Sequence, residues 1–253
     1  MELLVIFLCA LSASATASGN SSEPVPDHII TNGQPAYDGQ APFVVGMAFH
    51  TSNQWCSGTI IGDTWILTAR ACLTASTGVT IYFGATRRSQ ALYAVSVGSS
   101  QYVQNNEQLA LVHVPQVSYS NRVRKVALPG LRDQSNRYEN RWATTCGWGS
   151  TAFTQALPDW LQCVDLQIMS NSECIPFYGR DTITDRILCT RTINGKSICF
   201  GDAGSPLVTK QGSIMVGLSL FVSTQGCTLG MPAGFARITS HLNWIRQHTG
   251  IYY

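Results

Sequence analysis

From Ile29 onward the chain alternates between short apolar runs and turn-forming residues. The first series of runs covers residues 43–49, 59–61, 65–68, 79–83 and 109–114. A second covers residues 142–148, 160–169, 206–209, 214–222 and 234–238. The runs are rich in Val, Ile, Thr and aromatic residues, and Gly, Asn, Pro and Ser separate them. This pattern predicts an all-β sandwich or barrel. No repeat of fixed period is present. One helix is predicted at the C-terminus, where Thr239 or Ser240 can cap it, Leu242 and Ile245 share a face, and Gly250 can end it. A shorter helical turn is predicted over 170–178, with Ser170 or Asn171 as its cap.

The N-terminal pattern differs. Residues 3–11 form an apolar stretch, followed by small residues at 13–17, which reads as a secretory signal over residues 1–17. The run is too short to span a bilayer as a helix. Residues 18–29 are rich in Ser, Glu and Pro and read as an extended leader. They contain Asn20-Ser21-Ser22, a glycosylation sequon. Cys9 leaves with the signal, so eight of the nine cysteines remain. An even number suits an oxidising compartment, no C-x-x-C pair suggests a metal, and spacing alone leaves on the order of a hundred connectivities.

Composition narrows the function classes. The chain has 253 residues, 45% apolar and only 12% charged, with a net charge of +2. It is long enough for one large β-rich unit or two small barrels. Its short basic runs, Arg87-Arg88 and residues 122–125, read as solvated loops, and nothing concentrates charge as a nucleic-acid-binding face does.

Five motifs then carry a family resemblance. They are Ile30-Thr31-Asn32-Gly33; Thr59-Ile60-Ile61-Gly62 followed by Trp65-Ile66-Leu67-Thr68-Ala69-Arg70-Ala71-Cys72, with Cys56 upstream; Gln108-Leu109-Ala110-Leu111; Cys146-Gly147-Trp148-Gly149; and Cys199-Phe200-Gly201-Asp202-Ala203-Gly204-Ser205-Pro206-Leu207. Their order and spacing resemble the chymotrypsin/trypsin family of serine proteases over about 220 residues. The surrounding residues, including Thr249-Gly250-Ile251-Tyr252-Tyr253, resemble the insect digestive subgroup of Jonah-type proteases. The resemblance implies two six-stranded antiparallel β-barrels, at about 30–130 and 131–240 within a 30–253 domain, with an active-site cleft between them. It implies the disulfides Cys56–Cys72, Cys174–Cys189 and Cys199–Cys227. Cys146 and Cys163 are left over. A cross-strand bridge is expected between them, the alternative being two free buried thiols.

The same resemblance places the catalytic triad at positions where the residues needed for it are missing. The His of Thr-Ala-Ala-His-Cys is replaced by Arg70, a guanidinium with five donors and no acceptor. The Asp of Asp-Ile-Ala-Leu is replaced by neutral Gln108. The nucleophilic Ser of Gly-Asp-Ser-Gly-Gly-Pro is replaced by Ala203. Loss of such a triad lowers the rate about 10⁶-fold. The oxyanion-hole donors implied are the backbone N–H groups of Gly201 and Ala203. Ser205 is the nearest other hydroxyl and has no base in view.

In the family, cleavage before the residue matching Ile30 frees an amine that pairs with the acid matching Asp202. Here His28 and Ile29 stand before it, so a trypsin-like activator has no cation to grip, and retention of the leader is expected. The substrate-pocket positions are Ser197 at the floor and Ile198, Val222 and Ala233 around it, implying a narrow, uncharged pocket. Leu220 stands where a Ser usually supports the triad Asp.

The reading that follows is a secreted, non-catalytic protease homologue. Its expected partners are extracellular proteins or peptides, including active proteases or inhibitors, held as a decoy or regulator. The edge at Leu220-Phe221-Val222 could accept an extended peptide. A monomer is expected, with no cofactor, metal, nucleic acid or membrane partner, in gut lumen, reproductive fluid or haemolymph. Two alternatives stand beside it: an endopeptidase of digestive type acting through a non-standard group such as Ser205, and a bulk luminal protein.

Overall fold

The computed structural model describes residues 31–51, 54–105, 107–150, 157–211 and 213–252. The expected signal, the leader, Asn20 and the Ile29-Ile30 bond lie outside the described residues. The rest is mostly β, in two sheets with few helices.

The first sheet uses β2 (Val44–Phe49), β3 (Trp55–Gly62), β4 (Trp65–Ala69), β5 (Gly78–Phe83), β6 (Tyr93–Gly98), β7 (Tyr102–Gln104) and β8 (Leu109–His113). Its order is β6-β5-β2-β3-β4-β8-β7, with every neighbouring pair antiparallel. The two edge strands, β6 and β7, are consecutive in the chain and separated only by a 3-10 turn at Ser99–Gln101. They act as two arms of one bent strand, so the sheet curls round until covalent backbone crosses its seam. Neither arm lies in a predicted apolar run. In β6, Tyr93, Val95 and Val97 pack on the core while the residues between face solvent. Such a half-buried strand shows only a short period-two alternation.

The second sheet uses β1 (Gln34–Pro35), β9 (Trp142–Gly147), β10 (Gln162–Met169), β11 (Ile187–Arg191), β12 (Pro206–Thr209), β13 (Met215–Phe221) and β14 (Ala233–Arg237). The order is β1-β10-β11-β14-β13-β12-β9, and a further β9–β10 pairing closes β9 to β14 into a six-stranded barrel. The two-residue β1 adds to its outside at β10. All four expected bridges are present: Cys56–Cys72, Cys146–Cys163, Cys174–Cys189 and Cys199–Cys227. Cys146 and Cys163 face each other directly across the β9–β10 pair, with Cα atoms 4.1 Å apart. Four disulfides suit an oxidising, extracellular setting.

Two larger helices complete the fold beside the one-turn α1 (Arg70–Leu73). In α2 (Asn171–Tyr178), Ser170 caps the first turn and Glu173 reaches back to the Ser170 N–H, a full capping box. The C-terminal α3 (Leu242–Thr249) ends at Gly250 in the left-handed conformation, as predicted. Its start differs from expectation. Thr239 and Ser240 form a 3-10 turn, and His241 is the N-cap without a side-chain cap bond. Ser240 Oγ donates instead to the Asp185 carbonyl at 3.2 Å. Leu242 and Ile245 share a buried face that joins the first sheet's core, so the helix at the end of the second half packs on the first. Among the described residues, no helix is long and apolar enough to cross a membrane.

Candidate functional site

Three segments distant in sequence meet beside β3. Arg70 opens α1 directly after β4, and its N–H donates to the Gln108 carbonyl at 2.7 Å, just before β8 begins. The Ala203 carbonyl accepts from Ser57 N–H of β3 at 2.9 Å. The Cys56–Cys72 bridge ties α1 to the same strand, bringing Cys72 Sγ within 3.8 Å of the Ala203 carbonyl. Gly204 makes the approach of the loop to β3 possible. Its φ is +86°, and a Cβ there would fall 2.0 Å from the Ser57 carbonyl, a position closed to any side chain. Backbone bonds and the Cys56–Cys72 bridge thus link the segments of Arg70, Gln108 and Ala203 beside β3.

The loop that carries Ala203 is held from inside by a buried carboxylate. Asp202 accepts from Gly149 N–H and Cys199 N–H, each at 2.8 Å, and is fully buried. Burial raises its pKa to about 7, and the two backbone donors only partly oppose that shift. The carboxylate lies against bare backbone. A Cβ on Gly147 would sit 2.2 Å from Asp202 Oδ1, and one on Gly149 would sit 2.3 Å from its Cγ. This is the physical reason for glycines on both sides of Trp148.

Backbone donors of the loop are used alternately. Asp202 N–H goes to the Cys199 carbonyl at 3.1 Å, Gly204 N–H to Ser219 at 2.9 Å, and Ser205 N–H to Asp202 at 2.9 Å. Among the described residues, the N–H groups of Gly201 and Ala203 have no acceptor. Both residues are only part-buried, so these two donors are available to a ligand. Leu157 lies against this loop, where a Cβ on Gly201 would come within 2.7 Å of its Cδ2. Sequence reading did not single out Leu157, because a lone leucine after a polar segment carries no motif.

The remaining candidates fall in two places. Ser205 is fully buried, and its Oγ lies 2.6 Å from where a Gly147 Cβ would be, on the Asp202 side of the loop. That hydroxyl has no hydrogen-bond partner among the described residues. Ile198 and Ala233, expected to border a pocket, are buried in the second sheet's core, and half-buried Val222 packs on the same cluster. Ser197 is buried next to them, its carbonyl accepting from Thr31 Oγ1 at 3.0 Å and its own Oγ unpaired. Leu220, beside them on β13, packs between the first core and a small cluster around Cys174 and Cys189. At this end β13 outruns β12. Ser219 is the last residue bonded on that side, and Phe221 pairs only with Gly234 of β14.

The profile of the family described as Trypsin matches residues 30–245. The chain belongs to the trypsin family. Within it, Serine protease 1 of Drosophila melanogaster is 44% identical over 233 residues, covering 88% of this chain and 87% of the relative. Collagenase of Hypoderma lineatum is 33% identical over 263 residues, covering 99% of each. A solved structure titled HL collagenase superposes with a TM-score of 0.80 at 33% identity, covering 88% of this chain and all of that one. Glucanase inhibitor protein 3 of Phytophthora infestans is 27% identical over 260 residues, covering 96% and 98%. The fold is therefore chymotrypsin-like.

Proposed function

We propose that this chain is a secreted, non-catalytic member of the trypsin family that binds extended peptides in its cleft, as a decoy or regulator of proteolysis. One observation carries the reading. The three converging positions hold a guanidinium, an amide and a methyl group, none of which can attack a carbonyl or accept a proton from a nucleophile. The scaffold around them keeps both sheets and four disulfides among the described residues. The unpaired donors of Gly201 and Ala203 and the open side of Leu220-Phe221-Val222 support peptide binding by strand addition. The packing of Ile198, Val222 and Ala233 supports a small apolar pocket. That a full-length relative is named an inhibitor supports a use of this scaffold other than cutting. The ending of the chain supports kinship with the Jonah-type subgroup.

The names of its other relatives favour a second reading, a serine endopeptidase. The hydroxyl it would need is Ser205, and burial beneath the loop argues against that role. The test is a peptide-library digestion read by mass spectrometry. It compares the protein cleaved by design before Ile30 with a cleaved variant carrying Arg70→His, Gln108→Asp and Ala203→Ser. Cutting by the revertant alone supports the non-catalytic reading. Cutting by the unreverted protein, lost in Ser205→Ala, establishes the endopeptidase.

A further inference from the structure

We propose that the former catalytic centre is a carboxylate site, which selects peptides by their free C-terminus. This inference rests on the reading of the cleft as a peptide-binding site and adds the ligand chemistry. Arg70 is exposed, and among the described residues its guanidinium has no carboxylate, carbonyl or hydroxyl partner. Gln108 does not hold it, because the Gln108 side-chain oxygen is buried without any bond. Glu107, the neighbouring acid, is engaged by Arg186. An exposed arginine with no acid on it among the described residues is a fork of donors matched to a carboxylate.

The second half of the site is the loop. Among the described residues, Gly201 N–H and Ala203 N–H are the two donors that it leaves unused, and Ala203 puts a methyl group where a hydroxyl would otherwise compete for a bound oxygen. The loop and Arg70 are fixed to one another through Ser57, Cys56 and Cys72. A carboxylate has two oxygens, enough for one to face the N–H pair and the other the guanidinium. Position along the ligand favours its terminus over an acidic side chain. Ser219 is bonded to Gly204 and Ser205, so the open edge at Leu220-Phe221-Val222 starts beside Ala203. A peptide paired with that edge brings its main chain, rather than a side-chain tip, to the N–H pair. The ligand class is thus a peptide already cut by another protease.

The experiment measures binding of a decapeptide library to the full secreted chain and to Arg70→Gln. Each sequence is supplied with a free and with an amidated C-terminus, and with internal Asp or Glu exchanged for Asn or Gln. The expected result is about ten- to hundredfold tighter binding of the free-acid form, the range of a charge-assisted hydrogen bond to a ligand. The preference should shrink with salt and fall to near unity in Arg70→Gln. Equal binding of acid and amide, or a preference that survives Arg70→Gln, overturns the carboxylate site while leaving peptide binding intact. Affinity that follows the internal acids overturns the choice of terminus. Absence of binding by every peptide to the unmodified chain overturns both this inference and the peptide-binding reading beneath it.

Discussion

At the scale of single residues, two buried ionisable groups set opposite pH dependences. Asp202 has its pKa raised to about 7 by burial, so the folded chain holds a proton there that the unfolded chain releases above its ordinary carboxylate range. Its contribution makes stability fall as pH rises from about 4 to 7, with a slope of about 1.4 kcal/mol per pH unit. His241 is lowered to about 4, first by burial and second by repulsion from Arg186. The folded chain then lacks a proton that the unfolded chain takes up, so stability is lost as pH falls through 6.5 towards 4. Glu107 Oε2 lies 3.9 Å from His241 Nδ1, beyond hydrogen-bond reach, and is already claimed by Arg186, so burial prevails. Between pH 4 and 6.5 the two slopes offset each other, and above that range only Asp202 still titrates. Urea unfolding from pH 4 to 8 should therefore show declining stability between pH 6.5 and 7.5, and Asp202→Asn should flatten that decline. Gly204→Ala is a simpler case. A Cβ 2.0 Å from the Ser57 carbonyl at φ +86° should destabilise by more than about 2 kcal/mol in thermal unfolding.

At the scale of elements, helix ends separate what the local sequence states from what packing imposes. Ser170 and Glu173 have the spacing of a capping box and form one. Ser170→Ala should lower stability by about 1 kcal/mol. Thr239 and Ser240 offered the same signal for α3, but Ser240 bonds to Asp185 across the fold and the helix starts two residues later, at Leu242. Ser240→Ala should cost less than half as much as Ser170→Ala, measured by chemical denaturation of both variants. Strands show a similar division. The run 206–209 announced β12, which is buried along its whole length, and the run 142–148 announced β9, most of whose residues are buried. The arms β6 and β7 were missed, since a half-exposed strand dilutes the signal, and β11 was missed between polar turns.

At the scale of the whole molecule, buried polar contacts join segments that no local pattern connects. Arg237 of β14 is 4% exposed, and its guanidinium donates to the carbonyls of Asp185, Arg137 and Ile187 and to Asn171 Oδ1. Burial lowers its pKa to about 10, so it remains charged at neutral pH. Arg237→Met removes all four of these bonds and should destabilise by at least about 3 kcal/mol in denaturant unfolding, more than any surface arginine change.

The sequence alone determined the β-rich class, the cysteine inventory and the identity of the residues at the three converging positions. Those are properties of composition, spacing and side-chain chemistry, and they need no coordinates. The family resemblance implied three disulfides and left Cys146 and Cys163 over, with a cross-strand bridge expected between them. The tertiary structure decided the rest. It buried Ser205 beneath the loop and, among the described residues, left Arg70 without an acid and the Gly201 and Ala203 N–H groups without acceptors. It also packed Ile198, Val222 and Ala233 into one apolar cluster of the second sheet. Exposure, distance and the absence of a partner depend on segments over a hundred residues apart meeting at β3, and only the folded chain brings them together.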